Sequence, residues 1–232
     1  MNYKQVEKGV FVKRINRFIA LVEIQNQIER VHVPNTGRCR ELLVPGVEVI
    51  LSAAENPNRK TAYSLIAVYK GSRLINMDSQ IPHQVVYEAL AQGKLEEIGQ
   101  LTILKKEVKY KNSRFDIYFE TAERKAFMEV KGVTLEQDGV SMFPDAPTTR
   151  GTRHMEELIE ACQEGYEGYI FFLIQMEGVE CFTPNREMDK LFAQTLEKAA
   201  KAGVKVMAYD AKVSEGEIVL RKPIPIQLEK CM

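Results

Sequence analysis

The sequence predicts an α/β protein in two parts: a small N-terminal β-barrel of the OB type over residues 1–80, and an α/β domain with a mixed sheet over residues 81–232. Three observations carry this. The first part reads as short β runs separated by turn chemistry. Near Asp78 to Pro82 the apolar period changes from that of a strand to that of a helix. Beyond that point the order is helix, three strands, helix, strand, helix, strand, which suits a mixed sheet covered by helices.

The β runs of the first part are VFVKRI, FIALVEI, IERVHV, VEVILSA and AYSLIAVYK. Between them lie PNTG (Pro34 to Gly37), Pro45–Gly46 and NPN (Asn56 to Asn58), all turn formers. A five-stranded sandwich or an SH3-like barrel would leave much the same trace. The second part opens with PHQVVYEALAQGKL, where Pro82 suits a first helical turn and Val85, Val86, Ala89 and Leu90 fall at helical spacing. LTILKKEVKY, SRFDIYFE and KAFMEVKGV follow as strands, and TLEQDGVSMFPDAPTTRG is expected to be a loop. TRHMEELIEACQEG makes a helix with Met155, Leu158, Ile159 and Cys162 inside and Gly165 as its stop. YIFFLIQM is apolar on both faces, as buried parallel strands are. A helix over about residues 185–202, a strand at VKVMAYDA and a surface tail containing Pro223 and Pro225 complete the chain.

Composition narrows the function. The 32 basic and 32 acidic side chains balance, but residues 1–80 hold 12 basic against 7 acidic and the remainder 20 against 25. A basic front beside an acidic back suits one part that binds anions and another that gathers cations. Cys39, Cys162, Cys181 and Cys231 are scattered without a CxxC pair, which argues against a zinc knuckle or a redox pair. With only His32, His83 and His154, a zinc site of several histidines is disfavoured. MNYKQVEKGV lacks the apolar region of a signal peptide and YIFFLI is too short to span a bilayer, so a reduced, cytoplasmic protein is expected.

The chemistry centres on FMEVK. Alternation places Phe127, Glu129 and Lys131 on one face of a strand, and likewise Phe115, Ile117 and Phe119 on one face of the preceding strand with Asp116 on the other. Antiparallel pairing of the two runs through the TAERK loop would bring Asp116 near Glu129 and Lys131. A hard cation such as Mg²⁺ or Mn²⁺ takes carboxylate oxygens, which Asp116 and Glu129 would supply, with the Val130 carbonyl as a third donor. Glu88, on the helix before the sheet, is a candidate for completing the metal shell by position. Arg150, Arg153 and His154 stand at the entrance of the next helix with Thr148, Thr149 and Thr152, a setting that favours phosphate. Asp145 reads equally well as a ligand or as part of a turn. In the front part, Arg38 and Arg40 follow the expected Asn35–Thr36–Gly37 turn, and Lys13, Arg14 and Arg17 add to the basic patch. With Phe11, Phe18 or Tyr63 beside it, such a face would suit a nucleic-acid strand.

HVPNTGRCRELLVPG, SRFDIYFE, FMEVKGVTL and FPDAPTTRGTRHMEEL together resemble the sugar fermentation stimulation protein A family over nearly the whole chain. The resemblance implies an OB-like barrel joined to a domain similar to PD-(D/E)xK nucleases. It also implies largely non-specific DNA binding and a regulatory link to sugar (maltose) metabolism; nuclease activity is implied only by fold and motif. The motif's first acid falls on Asp116, its second on Glu129 and its lysine on Lys131, with Phe115 where the motif has proline. Two readings stay open: a Mg²⁺- or Mn²⁺-dependent phosphodiesterase acting on DNA, and a DNA-binding regulator that uses the nuclease fold as a platform. DNA is the expected partner, a membrane is not, and the oligomeric state, monomer or dimer, is left open.

Overall fold

The structure is a computed structural model that describes residues 1–35, 37–56 and 58–229; Thr36, Pro57 and Cys231 of the sequence reading lie outside them. The first six strands are β1 (Val6–Asn16), β2 (Ile19–Ile24), β3 (Gln27–His32), β4 (Glu48–Ala53), β5 (Tyr63–Lys70) and β6 (Arg73–Asn76). They hydrogen-bond in the order β3-β2-β1-β4-β5-β6, and β3 also meets β5 at His32 and Ser64. That contact closes β1 to β5 into a barrel, the OB arrangement rather than a sandwich. β1 is long enough to pair with both β2 and β4. Phe11, Val22, Val31, Val49, Leu51 and Leu65 fill the interior. The short β6 was not expected; it forms a hairpin with β5 around Gly71, whose φ is +62°.

The second part contains α1 (Pro82–Ala91), β7 (Ile103–Tyr110), β8 (Ser113–Glu120), β9 (Lys125–Val133), β10 (Leu135–Gln137), β11 (Val140–Phe143), α2 (Thr149–Gln163), β12 (Glu167–Ile174), β13 (Cys181–Pro184), α3 (Lys190–Lys201), β14 (Lys205–Ser214) and β15 (Glu217–Pro223). The main sheet runs β15-β14-β12-β9-β8-β7. Its centre, β9-β12-β14, is parallel and its flanks are antiparallel. β12 is buried on both faces. Ile170, Phe172 and Ile174 pack with Leu158 and Phe192 from α2 and α3, while Tyr169, Phe171 and Leu173 pack with Val85 and Val86 from α1. The same division sorts β9: Phe127 lies with the α2–α3 layer, Met128 and Val130 with the α1 layer.

Four expectations need correction. The segment 134–151 is not a bare loop: β10 and β11 form a hairpin in it, and β13 adds to β11 in parallel. The surface tail holds a strand that was not expected: β15, exposed over its last three residues, pairs with β14 through a register irregularity near Tyr209. α3 starts at Lys190, capped by Asp189, rather than near residue 185. Phe115 does not share a face with Ile117 and Phe119. It packs with Phe127, ring centroids 5.3 Å apart, in the α2–α3 layer, whereas Ile117 and Phe119 lie in the α1 layer. The strand is disturbed here: Glu107, between the β7 residues paired with Phe115 and Ile117, has a φ of +50°.

The two parts meet through buried polar groups. Gln175, 1 % exposed at the end of β12, donates from Nε2 to Asn76 Oδ1 at 2.8 Å and to the Asp78 carbonyl at 3.0 Å. Its carbonyl accepts from the Asn76 N–H at 2.9 Å. At the surface of this contact Lys70 and Arg73 both pair with Glu136, at 2.8 and 3.1 Å.

Asp189 joins two helix starts: its Oδ1 accepts from Phe192 N–H in α3 and its Oδ2 from Thr148 N–H, the N-cap of α2. Asp189→Ala is therefore expected to cost about 1–2 kcal/mol, read as a lower urea midpoint with an unchanged slope, and Asp189→Asn to cost less. An Ala variant with the wild-type midpoint would show that neither cap matters to stability.

Candidate active site

β8 and β9 pair in register from Glu120–Lys125 to Ile117–Met128. Beyond that pair the side chain of Asp116, rather than its main chain, bridges the strands: its Oδ2 accepts the Val130 N–H at 2.8 Å. The disturbed alternation at Phe115 is thus the local device that turns the Asp116 carboxylate onto β9. Glu129 lies one residue before Val130 and is 3 % exposed. Its Oε1 accepts from Lys131 Nζ at 2.6 Å and from His154 Nδ1, while its buried Oε2 has no hydrogen-bond partner. Gly132 follows because no side chain fits there: a Cβ would sit 2.3 Å from Gln175 Oε1 and 2.7 Å from Pro82 Cγ.

The two carboxylates are driven apart in acidity. Burial and the neighbouring Glu129 push Asp116 up to about 6, against the relief given by the Val130 N–H, Lys131 and His154. Burial also acts against the Glu129 carboxylate, but Lys131 and His154 outweigh it and hold its pKa below the ordinary value. Neighbouring carboxylates cannot both ionise cheaply, and the hydrogen-bond donors of Lys131 and His154 are spent on Glu129.

Asp116, Glu129 and Lys131 line a cleft of about 590 Å³ that both parts of the protein build. Arg17, Asn35 and Gly37 come from the barrel; Asp145, Thr149 and Arg150 come from the approach to α2. The contact is tight at Gly37, where a Cβ would lie 2.2 Å from Asp145 Oδ2. Burial raises the Asp145 pKa. A second groove of about 630 Å³ on the barrel, lined by Lys13, Arg14, Arg17, Arg38 and Arg40, shares Arg17, Gly37 and Ala146 with the cleft.

Asp116, Glu129, Lys131, Thr149, Arg150 and Arg17 therefore converge on one cleft, and Arg38 and Arg40 stand exposed on the adjoining groove. Others fall elsewhere. Glu88 is not part of the cleft lining; it pairs with the Met1 ammonium at 2.8 Å and accepts from Gln84. Arg153 is exposed on α2 outside the cleft lining. His154 is buried against Glu129 rather than presented at the helix entrance. Arg14 spends its guanidinium on the carbonyls of Arg17, Asn35, Gly37 and Arg38, and so shapes the loop. Phe11 is core, whereas Phe18 is 50 % exposed with the Arg17 guanidinium 5.9 Å from its ring centre. Sequence reasoning missed His83 and Gln175, which also line the cleft. Gln175 carried a signal: a polar residue closing an apolar parallel strand stands at the carboxyl edge, where α/β sheets place their sites.

Chemically, the bare and buried Glu129 Oε2 beside Asp116 offers the oxygen donors that hard divalent cations take. Among the described residues no three His, Cys, Asp or Glu side chains stand close enough together to hold a metal. Asp116 and Glu129 are the two carboxylates that would hold such an ion, and one or two carboxylates with water are what Mg²⁺-type binding takes.

Comparison with known proteins agrees with this architecture. Residues 12–77 match the profile described as SfsA N-terminal OB domain, and residues 80–217 match that of the sugar fermentation stimulation protein RE domain. The chain belongs to the sugar fermentation stimulation protein family. A sugar fermentation stimulation protein homolog of Alkaliphilus oremlandii is 54 % identical over 231 residues, 97 % of this chain and 98 % of that one. Its counterpart in Ruminiclostridium cellulolyticum is 50 % identical over 228 residues, 98 % of this chain and 100 % of the other. Among solved structures, one described as Pyrococcus furiosus SfsA in complex with Ca²⁺ superposes with a TM-score of 0.90 at 29 % identity, covering 98 % of each chain. No helix among the described residues is long and apolar enough to cross a membrane.

Asp116 holds its proton more tightly in the fold than in the unfolded chain, where its value is 3.8. Its contribution to stability is then complete below pH 3.8 and is lost as the pH rises through about 6. Asp116→Asn, which keeps an acceptor for the Val130 N–H, is expected to stabilise the metal-free protein by about 1–2 kcal/mol at pH 7.5 after allowance for partial exposure. Thermal melts in chelator should show this gap shrinking between pH 6 and 4; a gap independent of pH would contradict the raised pKa of Asp116.

Proposed function

We propose that this protein binds DNA largely without sequence preference and cleaves its phosphodiester backbone with a bound Mg²⁺ or Mn²⁺. The observation that carries the reading is the unpartnered, buried Glu129 Oε2 beside Asp116, in a cleft continuous with a basic groove. Leaving a buried carboxylate oxygen unsatisfied is costly, and a cation removes that cost. The Ca²⁺ named for the Pyrococcus furiosus relative is likewise a hard, oxygen-seeking ion.

A divalent cation held by Asp116 and Glu129 would supply a Lewis acid for the charge that develops on the scissile phosphate. The protein's own groups do the rest. An ammonium has three N–H donors and Glu129 takes one from Lys131, so the others serve an attacking water or a phosphate oxygen. Thr149 and Arg150 open α2, whose first N–H groups and positive dipole end receive a flanking phosphate. Arg17, Arg38 and Arg40 carry the strand toward the cleft, and Phe18, beside Arg17, offers a ring for a base. The relatives' names tie the family to sugar fermentation; we attach any regulatory role there, including one in maltose metabolism, to DNA binding.

The decisive test is cleavage of labelled single-stranded, duplex and branched DNA with Mg²⁺ or Mn²⁺. Asp116→Ala and Lys131→Ala should each lose about 10²- to 10³-fold in rate, while Arg38→Ala and Arg40→Ala should weaken binding and flatten its salt dependence. No cutting by the wild type, with binding kept, would leave a DNA-binding regulator on a nuclease scaffold. Absence of any salt-sensitive DNA affinity would remove the nucleic-acid reading altogether.

A further inference from the structure

We propose that His154 is a positioning residue: its Nδ1–H pins one oxygen of Glu129, so that the other stays bare for a divalent cation. This rests on the metal-site reading above and goes beyond it by assigning what keeps the ligand in place.

A glutamate carboxylate turns easily about its last torsion, so a bare oxygen needs a reason to stay bare. Lys131 is the weaker clamp, since an ammonium on a four-carbon stem re-aims its three donors more readily than a packed ring does. His154 is different. It sits on α2, is 1 % exposed, and its ring stands edge-on to Phe115 at 6.1 Å. One helical turn earlier, Arg150 Nε donates to His154 Nε2 at 3.3 Å. A guanidinium N–H only donates, so Nε2 is the acceptor and the ring proton is assigned to Nδ1. Nδ1 faces Glu129 Oε1. Both donors, His154 and Lys131, therefore converge on Oε1, and none reaches Oε2. The result is a fixed chain from Arg150 through His154 to Glu129. Arg150 lines the cleft and contributes only its Nε to this chain, so its terminal nitrogens remain for a phosphate. The residue that greets the backbone would thereby also steady the metal ligand.

The test is calorimetric titration of Ca²⁺ into the full-length protein without DNA, comparing wild type, Glu129→Gln, His154→Leu and His154→Asn. Asparagine places an amide N–H near the position of Nδ1–H; leucine keeps bulk and loses the donor. His154→Leu should weaken Ca²⁺ binding about 10- to 100-fold, and His154→Asn should restore most of it. In the metal-free wild type, nitrogen-15 NMR of the imidazole should show His154 protonated on Nδ1. A folded His154→Leu with wild-type affinity would overturn the proposal, as would equal losses in the Leu and Asn variants, which would mean packing alone. An Nε2–H tautomer would overturn it too. Should the leucine variant fail to fold, the asparagine variant and the tautomer still decide. Failure of the wild type to bind Ca²⁺ at all would remove the metal-site reading and this proposal with it. Binding that depends on Glu129 but not on His154 would remove this proposal alone.

Discussion

The burial of the Glu129 carboxylate is the constraint on which the rest of the site depends. A charge withdrawn from water costs several kcal/mol unless it is paired and hydrogen-bonded. Lys131 answers from the same strand face, two residues on. His154 answers from α2, and that fixes how the helix must lie: its first turns cross the sheet where β9 carries Glu129. Thr148 caps α2, and Asp189 holds Thr148 while capping α3, so two helix starts are tied to one another beside the carboxylate. Asp116 receives what remains, a single backbone N–H, and is left with the raised pKa.

A second constraint joins the barrel to the sheet. Arg14 gathers four carbonyls from the two loops at its side, and the loop it holds presents Gly37 to Asp145 with no room for a side chain. On the far wall Gln175 and Asn76 exchange hydrogen bonds where water is excluded. Buried polar groups that satisfy one another tolerate little sliding. A cleft walled by both parts therefore has a defined width, and the basic groove opens into it at Arg17.

How legible all this is in the sequence depends on the range of the interaction. β9, α1 and α2 announce themselves because one face of each is apolar at its own period, and β12 because an eight-residue strand with both faces covered is an unbroken apolar run. β10, β11 and β13 stayed hidden because each is only three or four residues long and its pairing partner is what makes it a strand; β15 is longer but ends in an exposed run with Pro223. The FMEVK face could be read because its two polar residues break an otherwise apolar strand. The side of Phe115 could not, since it depends on a backbone distortion shared with Glu107 across the ladder. Charged residues mislead in a consistent way. Arg14, His154 and Glu88 all look like ligand contacts in the sequence, yet each is taken by a partner within the chain. Pairing of this kind is set by tertiary distance, which sequence spacing does not encode.

Under the proposed DNA-binding reading the neutral total charge also acquires a reason. Asp116 and Glu129, with Asp145 in the same cleft, set three acidic side chains where a ligand would enter. A polyanion would be repelled unless cationic charge lies along its approach and is offered at the site itself. The protein supplies both: Lys13, Arg17, Arg38 and Arg40 along the groove, then Lys131 and Arg150 at the cleft. Lys131 cannot offset these acids alone, because it is committed to Glu129. The balance of 32 basic and 32 acidic side chains is thus a sum over two unlike parts, and it is their separation, not their total, that would let a phosphate backbone reach a pair of carboxylates.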